Sequence, residues 1–241
     1  MEVEKMEKYV LGVDIGSGSV KLTLLSQKGK IAATAGCEYE TIYPQVGWSE
    51  QNPDDWCKAF GSAFAEIKKI AGVQADQIEA LSVDAATHTA VLLDNNKKVL
   101  RRAILWTDQR SVEEVNELKE KYRELITQQC KNEPTTVWTL PQMMWLRKHE
   151  PQVWEKIRYI LFAKDYLRYC LTGSMETDHI DAAGSMFYDA GKEQWSKELC
   201  EIGHIREEWL PRVCNPTDVA GEVSKEAAEK YGLKAGTKVL V

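Results

Sequence analysis

The chain has 241 residues, 44% of them hydrophobic and 28% charged, with a formal net charge of -6. That composition suits a globular chain with a sizeable core, in one large domain or two small ones, and its acidic balance argues against a nucleic-acid surface or an anionic-membrane anchor, since no basic field offsets phosphates. No apolar run approaches a membrane span, and residues 1–8 are too charged to form the apolar core of a secretion signal, so a cytoplasmic location is expected.

Residues 9–15 are apolar and β-branched up to Asp14, and Val20, Leu22 and Leu24 then alternate with Lys21 and Thr23. Both flanks of Gly16-Ser17-Gly18 therefore have strand period, and the turn is a hairpin. A Rossmann fingerprint or a Walker loop needs glycines that open a helix, and here another strand follows, which excludes both. What remains is a Gly/Ser turn whose amides and hydroxyls can donate to phosphate oxygens, with Lys21 adding charge and Asp14 placed to hold a hydrated cation. An ordinary tight hairpin capped by Asp14 is the other reading of the same residues.

A second turn at Gln27-Lys28-Gly29-Lys30 leads to a third strand over residues 31–39, completing an antiparallel meander. After a loop over residues 41–51, Asn52 is an N-cap, Pro53 opens a helix, and Asp54 and Asp55 sit at the positive end of its dipole. Trp56, Phe60, Phe64, Ile67 and Ile70 share one helical face and are assigned to the core. Residues 78–85 read as a buried strand ending at Ala86-Thr87-His88-Thr89, followed by strands at 90–94 and 99–106 around a turn at 95–98. His88 at a strand end is either a satisfied structural group or a ligand contact. Trp106, Asp108 and Arg110 are likewise either a core aromatic with a helix-start ion pair or one wall of a ligand site.

Three strands, a helix and a strand are the order of a ribonuclease H-like half, an α/β fold with a helix packed on a mixed sheet. From Ser111 the character changes. Ser111 and Glu114 form a capping box opening a helix with Val115, Leu118, Tyr122 and Leu125 on one stripe. A further helix runs to His149 with Pro151 as its stop, and another spans residues 164–171, closed by Gly173. Residues 111–215 thus read as a helical insertion, after which residues 219–223 and 224–231 and the run from Thr237 to Val241 return to strand, helix and strand. The six cysteines are scattered without a CxxC pair, which suits reduced thiols rather than disulfides or zinc.

Four stretches in order resemble the FGGY carbohydrate kinases, and within them the xylulose kinases: Asp14-Ile-Gly-Ser-Gly-Ser-Val-Lys21, Gly47-Trp-Ser-Glu-Gln-Asn-Pro53, Trp106-Thr-Asp-Gln-Arg110 and Asp178-His-Ile-Asp-Ala-Ala-Gly-Ser-Met186. The resemblance implies an actin-like ATPase fold of the ribonuclease H-like class. It makes residues 9–241 the N-terminal, sugar-binding domain behind a charged tail, residues 1–8. It also implies ATP and Mg2+ as cofactors and transfer of the γ-phosphate to a sugar hydroxyl. Asp14 is then the catalytic carboxylate, holding magnesium through water, and Ser17, Gly18, Ser19 and Lys21 match positions that approach the nucleotide phosphates. His88 matches the histidine in the Gln-Met-His-Gly of xylulose kinases, so Thr87, His88, Trp106 and Asp108 are the expected substrate-binding residues and D-xylulose the expected substrate. Ala86, Thr87 and Thr89 depart from that pattern, which leaves another ketose or polyol open.

In the signature segment, residues 137–149, Gln142 stands where the family usually has Lys and is expected to be a surface change. In the family a strand like that from Thr237 to Val241 runs into a glycine-rich turn carrying the general-base aspartate, and the nucleotide-binding domain follows. That aspartate is therefore expected beyond Val241. The resemblance is to the N-terminal domain alone, so the expected partners are a small-molecule sugar and the C-terminal domain of a longer chain, with a homodimer left open. General-base catalysis contributes about 10² to 10⁴ in rate, so residues 1–241 by themselves are expected to be inactive. The alternatives are a sugar-sensing protein that kept the lobe and lost catalysis, and an actin- or chaperone-like ATPase sharing the first hairpin.

Overall fold

A computed structural model describes residues 7–86 and 88–241 of the chain. The substrate-binding expectation for Thr87 and most of the charged tail, residues 1–6, lie outside the described residues. β1 (Tyr9–Ile15) and β2 (Ser19–Ser26) pair antiparallel with Asp14 opposite Lys21, and β3 (Ile31–Glu38) continues the meander. Leu11, Val13, Ile15, Val20, Leu22 and Leu24 are buried on one face. Gly12 and Asp14 fall on the opposite, open face, as the two-residue period of a strand requires.

β4 (Glu50–Gln51) leads into α1 (Pro53–Ala71), where the Asn52 side chain accepts the Asp54 N–H at 3.2 Å and Gly72, at φ 65°, closes the last turn. Trp56, Phe60, Phe64 and Ile67 are buried as expected, but Ile70 is 56% exposed. The last turn of α1 overhangs the core, and Val73, just past the cap, fills the buried place at that end.

β5 (Ile78–Ala85) runs parallel to β1, with Asp84 beside Asp14. β6 (Ala90–Leu93) follows, but the strand expected over residues 99–106 shrinks to β7 (Ala103–Ile104), paired with the equally short β4. Arg101 and Arg102 instead turn their guanidinium groups onto Glu50. The chain then forms α2 (Val112–Lys121), α3 (Arg123–Cys130), α4 (Thr139–His149), α5 (Pro151–Trp154), β8 (Tyr159–Phe162) and α6 (Ala163–Thr172). Next come β9 (Glu176–Asp178), α7 (His179–Gly184), β10 (Tyr188–Asp189), β11 (Gln194–Trp195), α8 (Lys197–Gly203) and β12 (Arg212–Cys214).

Several local expectations are corrected here. The capping box at Ser111 does not form, because the buried Glu114 carboxylate pairs with Lys148 of α4 at 3.0 Å and the Ser111 side chain makes no cap bond. Pro151 opens α5 at its first position as well as following α4. The stripe begun by Val115 and Leu118 breaks where α2 gives way to α3: Tyr122 and Leu125 are only half-buried, and Ile126 takes the core position. Residues 159–162, read from sequence as part of a mostly helical insertion, form β8, which pairs antiparallel with β6. Gln142 is not at the surface. It is 3% exposed, and its amide donates to the carbonyls of Leu105 at 3.3 Å and Thr136 at 3.2 Å.

β13 (Val219–Glu222), α9 (Lys225–Tyr231) and β14 (Lys238–Leu240) complete a six-stranded mixed sheet in the order β13-β14-β5-β1-β2-β3. The strand expected from Thr237 to Val241 is thus shorter by one residue at each end. Thr237 turns its N–H to the Lys234 carbonyl at 3.2 Å, and the buried Val241 donates its N–H to the Asp218 carbonyl, just before β13, at 2.9 Å. The architecture is the one expected of a ribonuclease H-like half. Ala163, Tyr166, Leu167 and Leu171 of α6 join the α1 aromatics in one core under the sheet. A second core gathers Leu118, Leu146, Phe187 and Leu199 from the surrounding helices and loops. Residues 111–215 are therefore divided between the two cores, because α6 packs against β5 while α2 and α8 pack on α4. Among the described residues no helix is long and apolar enough to cross a membrane.

Candidate active site

Because β1 and β5 are parallel neighbours, their C-terminal ends deliver the hairpin turn and the residues after β5 to the same place. Between them is a narrow crevice of about 10 Å³, walled by Gly16 and Ser17 on one side, Ala86 and Thr89 on another, and Gln51 and Trp106. Gln51 is 2% exposed and fully employed: it accepts from Trp56 Nε1 at 2.9 Å and donates to the Ser17 carbonyl at 2.7 Å and Thr41 Oγ1 at 2.8 Å. It therefore ties the hairpin turn to the start of α1. Trp106 is 42% exposed and its indole N–H reaches Ser17 Oγ at 3.5 Å, a long bond. The buried Thr89 hydroxyl has no partner among the described residues, so one wall carries an unfilled hydrogen-bonding position.

Asp14 lies just outside this wall, on the open face of the sheet. Ser17, Gly18 and Lys21 are exposed around the turn and Ser19 is half-buried. The Tyr39 hydroxyl donates to the Gly16 carbonyl, and burial, with Asp14 adding to it, holds that phenol above its usual range, so it remains a donor. Among the described residues no three His, Cys, Asp or Glu side chains form a metal cage. The exposed Asp14 carboxylate, with the exposed Asp84 beside it on the next strand, is instead a donor set that would suit a magnesium ion keeping most of its water.

His88 adopts a left-handed backbone at φ 47°. Its N–H donates to Asp181 Oδ1 at 3.1 Å, its carbonyl accepts from Thr139 Oγ1 at 2.8 Å, and its ring centroid lies 4.8 Å from that of Trp138. The side chain turns away from the crevice wall formed by its neighbours Ala86 and Thr89. Burial lowers its pKa, against the pull of Asp181, so the imidazole is neutral near pH 7.

Behind this turn the buried Lys164 ammonium pairs with Asp178 and, at 3.3 Å, with Asp181. Burial disfavours both charges of the Lys164–Asp178 pair. The attraction nevertheless prevails, leaving Lys164 above its usual range and Asp178 below its own. A depressed carboxyl contributes stability above its ordinary value of 3.8 that is lost as pH falls through the lower folded value. Between about pH 5 and pH 3 the melting temperature of the parent protein is therefore expected to fall further than that of Asp178→Asn, as followed by circular dichroism; equal falls would refute the assignment.

Asp108 is 1% exposed and sits one layer behind Trp106. It accepts from the Ser49 N–H at 2.6 Å and from Arg110 Nε at 2.9 Å, with a second guanidinium contact at 2.8 Å. Arg110 also pairs with Glu50 at 2.9 Å and packs against the edge-to-face pair Trp48 and Trp145, whose ring centroids lie 3.9 Å and 4.9 Å away. Of the residues expected from sequence, Ser17 and Trp106 line the crevice, Asp14, Gly18, Ser19 and Lys21 border it at the hairpin, and His88 and Asp108 stand behind. Gln51, Lys164 and Asp181 escaped the sequence reading. Gln51 and Asp181 lie in stretches that carry the family resemblance, but only the folded chain shows what they face.

The model of the FGGY family of carbohydrate kinases, N-terminal domain, matches residues 9–241. Xylulose kinase of Bacillus subtilis (strain 168) is 37% identical over 232 residues, covering 96% of this chain and 46% of the relative. The crystal structure of xylulose kinase from Rhodospirillum rubrum superposes with a TM-score of 0.92 at 28% identity, over 97% of this chain and 49% of that one. Gluconate kinase from Lactobacillus acidophilus superposes with a TM-score of 0.91 at 25% identity, over 97% and 47% of the two chains. The chain thus spans about half the length of the curated relatives it matches.

Proposed function

Since the chain belongs to the FGGY family of carbohydrate kinases, we propose that the full-length protein phosphorylates a sugar with MgATP, D-xylulose to xylulose 5-phosphate being the leading assignment. The observation that carries this reading is the meeting of the hairpin turn and the end of β5 around one crevice, with the exposed Asp14 carboxylate beside Gly16 of its wall. MgATP supplies the phosphoryl group. On this reading Asp14 holds the magnesium ion through water, while Ser17, Gly18, Ser19 and Lys21 receive the nucleotide phosphates. Such transfer depends on positioning and charge neutralisation more than on covalent chemistry.

The sugar lies at the mouth of this crevice, against the exposed face of Trp106 and close to the end of β5. Asp108 acts through Arg110 and the Ser49 amide, fixing the segment from which Trp106 projects. The general base belongs to the part of the longer chain that follows Val241 in the family pattern. Residues 1–241 alone are accordingly expected to give no sugar-dependent ADP release.

The test is ADP release by the full-length protein with MgATP and a panel of ketopentoses, polyols and sugar acids. The highest kcat/KM is expected with D-xylulose, and silence with every member would overturn the proposal. A second reading, a kinase for another sugar, draws on the departures at Ala86, Thr87 and Thr89 and on the equally good superposition with a gluconate kinase. The same panel separates the two.

A further inference from the structure

His88 has an unusual backbone for a residue with a side chain, and such conformations persist only where the surroundings hold them. Two groups do so here. The Asp181 carboxylate accepts its N–H at 3.1 Å, and Thr139 Oγ1 donates to its carbonyl at 2.8 Å. Room for the ring comes from a third residue: a methyl group on Gly184 would overlap His88 Nδ1 and stand 3.2 Å from Cγ.

Asp181 and Gly184 both belong to α7, whose own start is held by Asp178 Oδ1 accepting the N–H groups of Ile180 at 2.8 Å and Asp181 at 3.0 Å. Lys164 of α6 then joins the two carboxylates, so α7 is fastened to the helix that lies under the sheet. The turn after β5 is thus set by α7, more than 90 residues further along the chain.

We infer that α7 is the positioning element for the sugar-facing turn, with Asp181 holding the His88 backbone and Gly184 admitting its ring. This rests on the sugar-kinase reading. A turn displaced by a fraction of an ångström would weaken sugar binding while leaving the hairpin that faces the nucleotide in place. About 1 Å of misplacement can lower rates about 100-fold.

The experiment compares the full-length protein with Asp181→Ala, Asp181→Asn and Gly184→Ala, measuring KM for the sugar and for ATP separately. Asp181→Ala and Gly184→Ala are expected to raise the sugar KM about 10-fold or more with the ATP KM unchanged, and Asp181→Asn, which keeps an acceptor for the His88 N–H, to recover most of the loss. An unchanged sugar KM in folded variants, or equal rises for sugar and ATP, would overturn the inference. Should the Asp181 and Gly184 variants fail to fold, Thr139→Val removes the other tether of the turn without leaving a charge unpaired, and the same split is expected of it. A parent protein with no sugar-dependent ADP release would defeat the kinase reading itself. An active parent with unaffected variants defeats only the role given to α7.

Discussion

Replacing Asp14 by asparagine in the full-length protein is expected to lower kcat by about 10² to 10³, the range seen when one preorganised electrostatic contact to a transition state is lost. The melting temperature and the sugar affinity should stay near their parent values. Asp14 is exposed on the open face of the sheet, so the neutral side chain leaves no buried partner unpaired. The amide is nearly isosteric but has no charge with which to orient the water shell of a cation. Raising magnesium should therefore recover part of the loss in Asp14→Asn. Stopped or coupled assays of ADP release at several magnesium concentrations provide the check, and parent-like kcat would remove Asp14 from the proposed chemistry. The hairpin would then be a plain turn closed by Tyr39.

Arg110→Ala is expected to have the largest effect on stability. The guanidinium is buried against two tryptophan rings and is shared by Asp108 and Glu50, whose side chains are 1% and 4% exposed. Removing it leaves carboxylates in a poorly hydrated place and opens a gap beside the rings, and breaking a buried pair in this way costs about 3 to 5 kcal/mol. For a domain of this size that corresponds to a fall in melting temperature of about 10 °C. Arg102→Ala is the control: its side chain is 46% exposed and Glu50 keeps Arg101 and Arg110, so a change of about 1 kcal/mol or less is expected. Thermal unfolding of both variants followed by circular dichroism decides the matter. Equal shifts would mean that the Glu50 cluster is not organised around Arg110.

The contrast between these two residues reflects what local sequence can and cannot specify. Asp14 and Arg110 are both charged residues in motifs that resemble the same family, yet the first faces solvent and the second is enclosed by side chains from three separated stretches, at residues 48, 108 and 145. Similarly, the Ser111 and Glu114 pair has the spacing of a capping box, but Lys148 offers the Glu114 carboxylate a full positive charge across the helix pair, a partner that no local spacing reveals. Ile70 keeps the helical period of its core neighbours and still lies outside, because a period says which face a residue occupies and not how far the opposing sheet extends.

By itself the sequence determined the strands of the meander, the capped helix after Asn52, the turn at Gly16-Ser17-Gly18 and the family, since each depends on residues close together in the chain or on short motifs in order. Tertiary structure alone decided the pairing of β8 with β6, the division of residues 111–215 between two cores, and the surroundings of Gln51, Lys164 and Asp181. Those outcomes turn on which distant groups meet in a low-dielectric interior, where an unpaired charge or hydrogen-bonding group is costly and the partner that satisfies it is chosen by packing rather than by spacing.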